Sequence, residues 1–148
     1  EELYRVASRR RIIPPIAVVP PYFEHPGYIR ALAEVARAAL AGWRPDHLVL
    51  SFHGIPERYV REGDPYAGHC GLTTSALQEA MGWPTGRLTL LFQSRFGREV
   101  WLQPYTDDTL HRLGAQRTER VAVMCPGFTA DCLETLEEIG ARERRNFV

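Results

Sequence analysis

No stretch of this 148-residue chain is apolar for long enough to cross a membrane as a helix, which takes about 20 residues. Neither sign of charge is in excess, since 18 basic residues stand against 18 acidic ones. That balance removes the electrostatic argument for a nucleic-acid partner. The chain opens Glu1-Glu2 rather than with a basic and then an apolar segment, so no signal peptide is expected. Cysteine is scarce: Cys70, Cys125 and Cys132 form an odd set with no Cys-x-x-Cys spacing. Such a set argues against a disulfide framework or a zinc site and for a reducing, cytoplasmic compartment. There is no internal repeat and no low-complexity tract.

What is present is a repeated strand–loop pattern. His47-Leu48-Val49-Leu50-Ser51-Phe52 ends at His53 and is stopped by Gly54-Ile55-Pro56. Arg87-Leu88-Thr89-Leu90-Leu91-Phe92 runs into Gln93-Ser94-Arg95, and Arg120-Val121-Ala122-Val123-Met124-Cys125 runs into Pro126-Gly127-Phe128. Helical stretches separate the runs, and such crossovers are right-handed and leave the strands parallel. The expectation is a three-layer α/β domain, with strands near 48–52, 87–92 and 120–125 and helices on both faces. Ligands in open α/β sheets bind beyond the carboxyl ends of the strands. His53 sits at such an end, with a side chain whose ordinary pKa is near neutrality. A lone histidine there is more often a hydrogen-bonded structural residue, so its weight depends on what joins it. Glu134, early in a helix following the third strand, is expected at the same edge, making a proton-transfer or metal-handling pair.

The remaining elements read as follows. Residues 1–11 resemble a helix end, with Arg9-Arg10-Arg11 solvated. Residues 12–19 are extended and carry Pro14 and Pro15, which suit an edge strand or linker. Pro26 starts a helix to about Ala41, and a second helix follows residues 64–67 and stops before Gly82. Thr106 is the expected N-cap of a short helix ended by Gly114, and Thr129 that of a last helix over residues 130–144. Asp131, Glu134 and Glu138 share one face of that helix, where acidic residues also complement the helix dipole in any protein. Glu137 reads as a surface residue. His25, His47, His69 and His111 have no partner at useful spacing and read as structural or exposed.

Three motifs resemble the ferrochelatase family. Ser51-Phe52-His53-Gly54-Ile55-Pro56 with Gly63-Asp64-Pro65-Tyr66 is similar to its histidine loop. Phe92-Gln93-Ser94-Arg95-Phe96-Gly97 with Trp101-Leu102-Gln103-Pro104-Tyr105-Thr106-Asp107 is similar to its central segment. Cys125-Pro126-Gly127-Phe128-Thr129-Ala130-Asp131-Cys132-Leu133-Glu134-Thr135-Leu136 resembles its C-terminal motif. The resemblance runs from about Phe23 onward.

It implies an enzyme of haem synthesis that inserts Fe²⁺ into protoporphyrin IX or coproporphyrin and releases two protons. It implies His53 as proton acceptor or metal ligand, Glu134 as the facing carboxylate, and Asp131 and Glu138 as an acidic path. Tyr66, Phe92 and Phe128 are implied at the porphyrin cleft. Cys132 stands where the family often has histidine, and Arg142 where it has a further acid. The resemblance also implies residues 1–20 as an interdomain crossover and residues 21–148 as the C-terminal chelatase domain, without the family's last segment. The N-terminal half of the same enzyme is then the missing partner, porphyrin and Fe²⁺ are the substrates, and the fragment alone is expected to be inactive. No cofactor beyond the substrate Fe²⁺ is expected, and three cysteines do not supply the four ligands of an iron–sulfur cluster. A transmembrane segment is not expected, while peripheral membrane contact stays open.

The chemistry agrees with that implication. A neutral imidazole takes a proton near pH 7, a carboxylate balances the ion's charge, and broad apolar walls bend the macrocycle. Phe92, Phe96, Trp101, Tyr105 and Phe128 are wall candidates, each with an ordinary core reading beside it. Arg95 and Arg98 are weaker candidates for porphyrin carboxylates. A sister chelatase for another metal or tetrapyrrole, and a non-catalytic haem- or metal-binding module, stay open. A serine hydrolase is a weaker reading still, because Ser51 and His53 are two apart on one strand and no Gly-x-Ser-x-Gly elbow surrounds the serine.

Overall fold

The computed structural model describes residues 2–147. Helix α1 (Glu2–Ala7) leads into residues 8–25, which form neither helix nor strand. Then follow α2 (Pro26–Ala39), β1 (His47–His53), α3 (Glu57–Arg61), α4 (Tyr66–Met81), β2 (Leu88–Gln93), α5 (Thr106–Ala115) and β3 (Val121–Met124). A π-helix over Glu134–Glu143 and an α-helical turn α6 (Arg144–Asn146) close the described chain.

The three strands form one parallel sheet in the order β2-β1-β3. Central β1 is buried over residues 48–52, as a strand covered on both faces must be. Alternate side chains go to opposite layers. Leu48, Leu50 and Phe52 pack with Ala33 of α2, Cys70 and Leu77 of α4, and Phe92. Val49 and Leu91 pack with Leu110 of α5, joined by Leu113 and Phe147. Leu50 and Leu77 are fully buried, and each contributes roughly 1.5–3 kcal/mol by leaving water. This is a three-layer α/β fold, and all three strands point their carboxyl ends the same way.

Local chemistry sets the helix limits. His25 Nδ1 accepts from Gly27 N–H at 3.1 Å, and Pro26 supplies a preset φ at the first helical position of α2. Ile29, Ala33 and Ala36 then form its buried stripe. Helix α4 stops at Gly82, whose φ of 62° is the left-handed region that glycine adopts cheaply.

Three expectations change. Thr106 is not an N-cap: Tyr105 takes that place, and Thr106 lies inside α5 with Oγ1 2.8 Å from Ser51 Oγ in the core. Gly114 does not end α5 either. A Cβ there would meet Phe147 O at 2.8 Å, so the residue is small to admit the C-terminal segment. Thr129 is exposed and caps nothing, because the last helix starts at Glu134 and winds as a π-helix. Residues 12–19 join no strand, which leaves the linker reading of that segment, and the short α3 after Pro56 has no counterpart among the expected elements. Among the described residues no helix is long and apolar enough to cross a membrane.

Candidate active site

The carboxyl end of β1 is bolted to that of β2. His53 is in register with Gln93, and Gly54 N–H donates to Gln93 O at 2.8 Å. A Cβ on Gly54 would come within 3.1 Å of that oxygen and 3.2 Å of the Trp101 ring, so only glycine fits without a shift. The chain then runs past this corner: Glu57 N–H donates to Val100 O, Leu102 N–H to Ile55 O and Phe92 N–H to Pro104 O, each at 2.9 Å. Those bonds hold Trp101 with its ring centroid 6.2 Å from that of His53, and Phe128 stands 6.4 Å away on the loop after β3.

His53 Nδ1 lies 2.6 Å from Gly54 O. A carbonyl only accepts, so Nδ1 carries the hydrogen and Nε2 of the neutral ring keeps its lone pair. Among the described residues Nε2 has no hydrogen-bond partner. Tyr66 Oη donates to His53 O at 2.9 Å and steadies the same loop. Burial raises the Tyr66 phenol far above its ordinary range, so it remains a neutral donor.

Glu134 opens the π-helix and lines, with His53, Trp101, Phe96, Glu137 and Glu138, one cavity of about 370 Å³. Its carboxyl is held below the usual range, first by its own backbone N–H, then by the Cys132 thiol. It is therefore ionised throughout the neutral range. Glu137, expected at the surface, is exposed but faces the same cavity. Residues 134, 137 and 138 of the π-helix line one mouth.

Glu138 is held firmly. It accepts from Ser94 N–H at 2.9 Å and Ser94 Oγ at 2.6 Å, and pairs with Arg142 at 3.0 Å. Ser94 takes φ 65° to make both bonds, a conformation costing of order 1–3 kcal/mol in a non-glycine residue. Arg142 also donates from Nε to Glu143 Oε1 at 2.8 Å. Glu143 is 3% exposed, and its Oε2 is buried without a partner, as is Trp101 Nε1. A second cavity, about 320 Å³, adjoins through Glu138 and is lined by Gln93, Asp107, His111 and Glu143.

The other expected residues are placed less centrally. Asp131 is exposed and accepts from Thr135 Oγ1 at 3.1 Å, tying the start of the π-helix and lining neither cavity. Phe92 is 5% exposed within the core layer. Tyr66 lines a separate cavity of about 230 Å³ with Phe52, Cys70 and Thr129. Arg95 is engaged by Asp107 and Asp108 and lies over the Tyr105 ring. His47 bonds Thr89 Oγ1 at 2.8 Å and His69 stacks on Phe23 at 3.8 Å, both structural. Among the described residues no group of three or more His, Cys, Asp or Glu side chains is gathered to hold a metal.

Sequence reasoning passed over Gln93. Its Oε1 accepts from Ser51 Oγ at 2.6 Å and from Cys125 Sγ at 3.5 Å, while its Nε2 donates to Glu134 O at 3.2 Å. One buried amide thus joins β1, the end of β3 and the first residue of the π-helix. The available signal was a polar residue closing an apolar run in register with His53, since a buried amide must find partners.

A family model described as Ferrochelatase matches residues 1–148. The chain belongs to the ferrochelatase family. A protein named Ferrochelatase from Klebsiella pneumoniae (strain 342) is 52% identical over 149 aligned residues, covering 100% of this chain and 47% of the relative. Another of that name, from Bradyrhizobium diazoefficiens, is 49% identical, covering 99% of this chain and 43% of the relative. The chain therefore spans about half the length of the curated relatives it matches.

Proposed function

We propose that the complete protein inserts Fe²⁺ into protoporphyrin IX or coproporphyrin in haem biosynthesis, with His53 and Glu134 facing the reacting centre. The observation that carries this reading is their shared cavity, in which an ionised carboxylate meets an imidazole with an uncommitted Nε2. Metallation removes two N–H protons from the macrocycle as one Fe²⁺ enters, so charge balances when both protons leave. Nε2 of His53 accepts each pyrrole proton in turn and passes it to solvent. Glu134 balances the charge of the incoming ion until the four nitrogens replace it. Phe128 and Trp101 offer apolar faces beside His53, Tyr66 steadies its loop, and Phe92 supports it from the core.

In this reading Glu138 and Asp131 are the acidic positions leading toward Glu134, with Glu138 braced by Ser94 and Arg142. Residues 21–148 are the C-terminal chelatase unit and residues 1–20 the crossover from an N-terminal half, which completes the porphyrin cleft. The reaction needs no cofactor besides its substrate ion, and no iron–sulfur cluster is part of the proposal. We assign it to the cytoplasm, with the three reduced cysteines as support.

The test is metallation by the full-length protein with Fe²⁺, Co²⁺ and Ni²⁺, each offered protoporphyrin and coproporphyrin. Fe²⁺ insertion with turnover is expected. Preference for Co²⁺ or Ni²⁺ and a more carboxylated ring would assign a sister activity, and tight binding without turnover a binding module.

A further inference from the structure

A cavity of about 560 Å³ lies at the opposite end of the sheet from His53. Asp46, Arg87 and Arg120, which immediately precede β1, β2 and β3, stand at its wall. Strand β1 separates it from His53 by six residue steps, ~20 Å, so it is no part of the site above. It is built by two tight turns. One leaves α2 through Gly42 (φ 77°) and carries Trp43 and Arg44; the other leaves α4 through Gly82 (φ 62°) and Gly86 (φ 81°) and carries Trp83 and Arg87.

The charge at this end is uneven. Arg37, Arg44, Arg87 and Arg120 line the cavity against one acid, Asp46. Asp46 is taken by Arg120 at 3.0 Å, and its carboxyl is held low chiefly by that guanidinium. Arg37, Arg44 and Arg87 form no salt bridge among the described residues. A chain with no net charge therefore gathers four guanidinium groups and a single carboxylate at one concavity. Like charges repel, and an anion among them relieves the repulsion. Every one of the chain's 18 basic residues is arginine, whose planar fork matches phosphate and carboxylate oxygens in pairs.

The rest of the lining is apolar. Two indoles, Trp43 and Trp83, share the wall with Leu40 and Met81. Trp83 Nε1 donates to Arg87 O at 2.8 Å, which fixes that ring and the backbone that carries Arg87. Arg37 donates to Ala80 O, anchoring a second guanidinium. Trp43 is 40% exposed, so part of its indole remains open to a ligand at the cavity wall. A volume within the roughly 300–1,000 Å³ of small-molecule sites, mostly apolar with a few convergent charges, has the character of a ligand pocket.

We propose that this cavity binds a small molecule with a flat unsaturated ring and two or three anionic groups. The ring lies against the indoles, and Arg37, Arg44 and Arg87 take the anionic oxygens. Nucleoside phosphates and aromatic polycarboxylates share that chemistry. The test is calorimetric titration of the full-length protein with ADP, adenosine, pyrophosphate and benzene-1,3,5-tricarboxylate. One of the two ring-bearing anions should bind with a Kd well below about 1 mM, and the tighter of them names the source. Adenosine or pyrophosphate alone should bind at least about tenfold more weakly than ADP if ADP is that source. Arg44→Gln/Arg87→Gln should cost at least about tenfold in affinity, at an unchanged metallation rate, because both arginines are exposed and distant from His53. Trp43→Ala should weaken the ring-bearing anion and leave pyrophosphate unaffected. The proposal is overturned if neither ring-bearing anion binds the wild type below about 1 mM, or if the double variant binds as the wild type does.

Discussion

His53 has one ring nitrogen committed to Gly54 O and one left free, and its main-chain carbonyl is held by Tyr66. In the reading proposed above, a group so positioned acts as base without further ordering. In the complete enzyme, His53→Ala should lower kcat for metallation by about 100-fold or more, the range for losing a placed acid–base group. Wild-type turnover in the purified variant would remove His53 from the mechanism. The three glutamates separate by what holds them. Glu134→Gln keeps shape and hydrogen bonding but deletes a charge held at neutral pH, so activity should collapse. Among the described residues Glu137 makes no hydrogen bond yet lines the cavity, so Glu137→Gln should raise the KM for Fe²⁺ more than it lowers kcat. Glu138→Gln keeps an acceptor for Ser94 but loses the pairing with Arg142, and it should lower the melting temperature as well as slow metal entry. Equal, near-normal kinetics in all three would leave only a solvated acidic face. His53 and Glu134 were legible because strand ends in a parallel sheet converge, whatever the side-chain detail. Glu143 was not, because a lone acid among Arg142, Arg144 and Arg145 reads as part of a solvated charged end, and nothing local says that it turns inward.

At the scale of elements, the strands were read to within a residue, since an unbroken apolar run between turn formers has few other homes. The last helix was placed four residues early and given α geometry. Its π winding depends on which carbonyls find partners across the fold, and no local periodicity encodes that. The same holds for Gln93, whose partners come from β1, the end of β3 and the π-helix. Gln93→Leu would leave Ser51 Oγ without that bond and free Glu134 O, at a cost of roughly 1–3 kcal/mol by thermal unfolding. Because Gln93 touches only the backbone of Glu134, the variant should lose kcat while its KM for porphyrin stays near normal. A fully active Gln93→Leu enzyme would reduce the amide to packing. Gly54→Ala tests the same corner from the other strand. The added methyl must displace Gln93 O or Trp101, which costs roughly 1–3 kcal/mol as overpacking.

Across the described residues, two patches of uncovered apolar surface lie apart from the Trp43 cavity. One is the stretch after α1, where Ile12 is 82% exposed and Ile13, Val18 and Val19 are also exposed. The other is the rim of the His53–Glu134 cavity, where Phe96 is 80% exposed and Leu133 and Leu136 stand open beside it. Solvated surfaces rarely keep such clusters unless something else packs on them. The open rim also leaves the cavity without an opposite wall, and bending a macrocycle needs contact on both faces. Both patches, and the doubled length of the relatives, fit one account in which a second half closes over this one. The 148-residue chain expressed alone should therefore show no measurable metallation and should self-associate through these patches. Fused behind the N-terminal half of the Klebsiella pneumoniae relative, it should become monodisperse and gain Fe²⁺ insertion that His53→Ala abolishes. Turnover by the isolated chain would mean that its own surface, or a second copy of it, supplies the missing wall. A fusion that folds but stays inactive would shift suspicion from the absent half to the pair of residues on which the site is built.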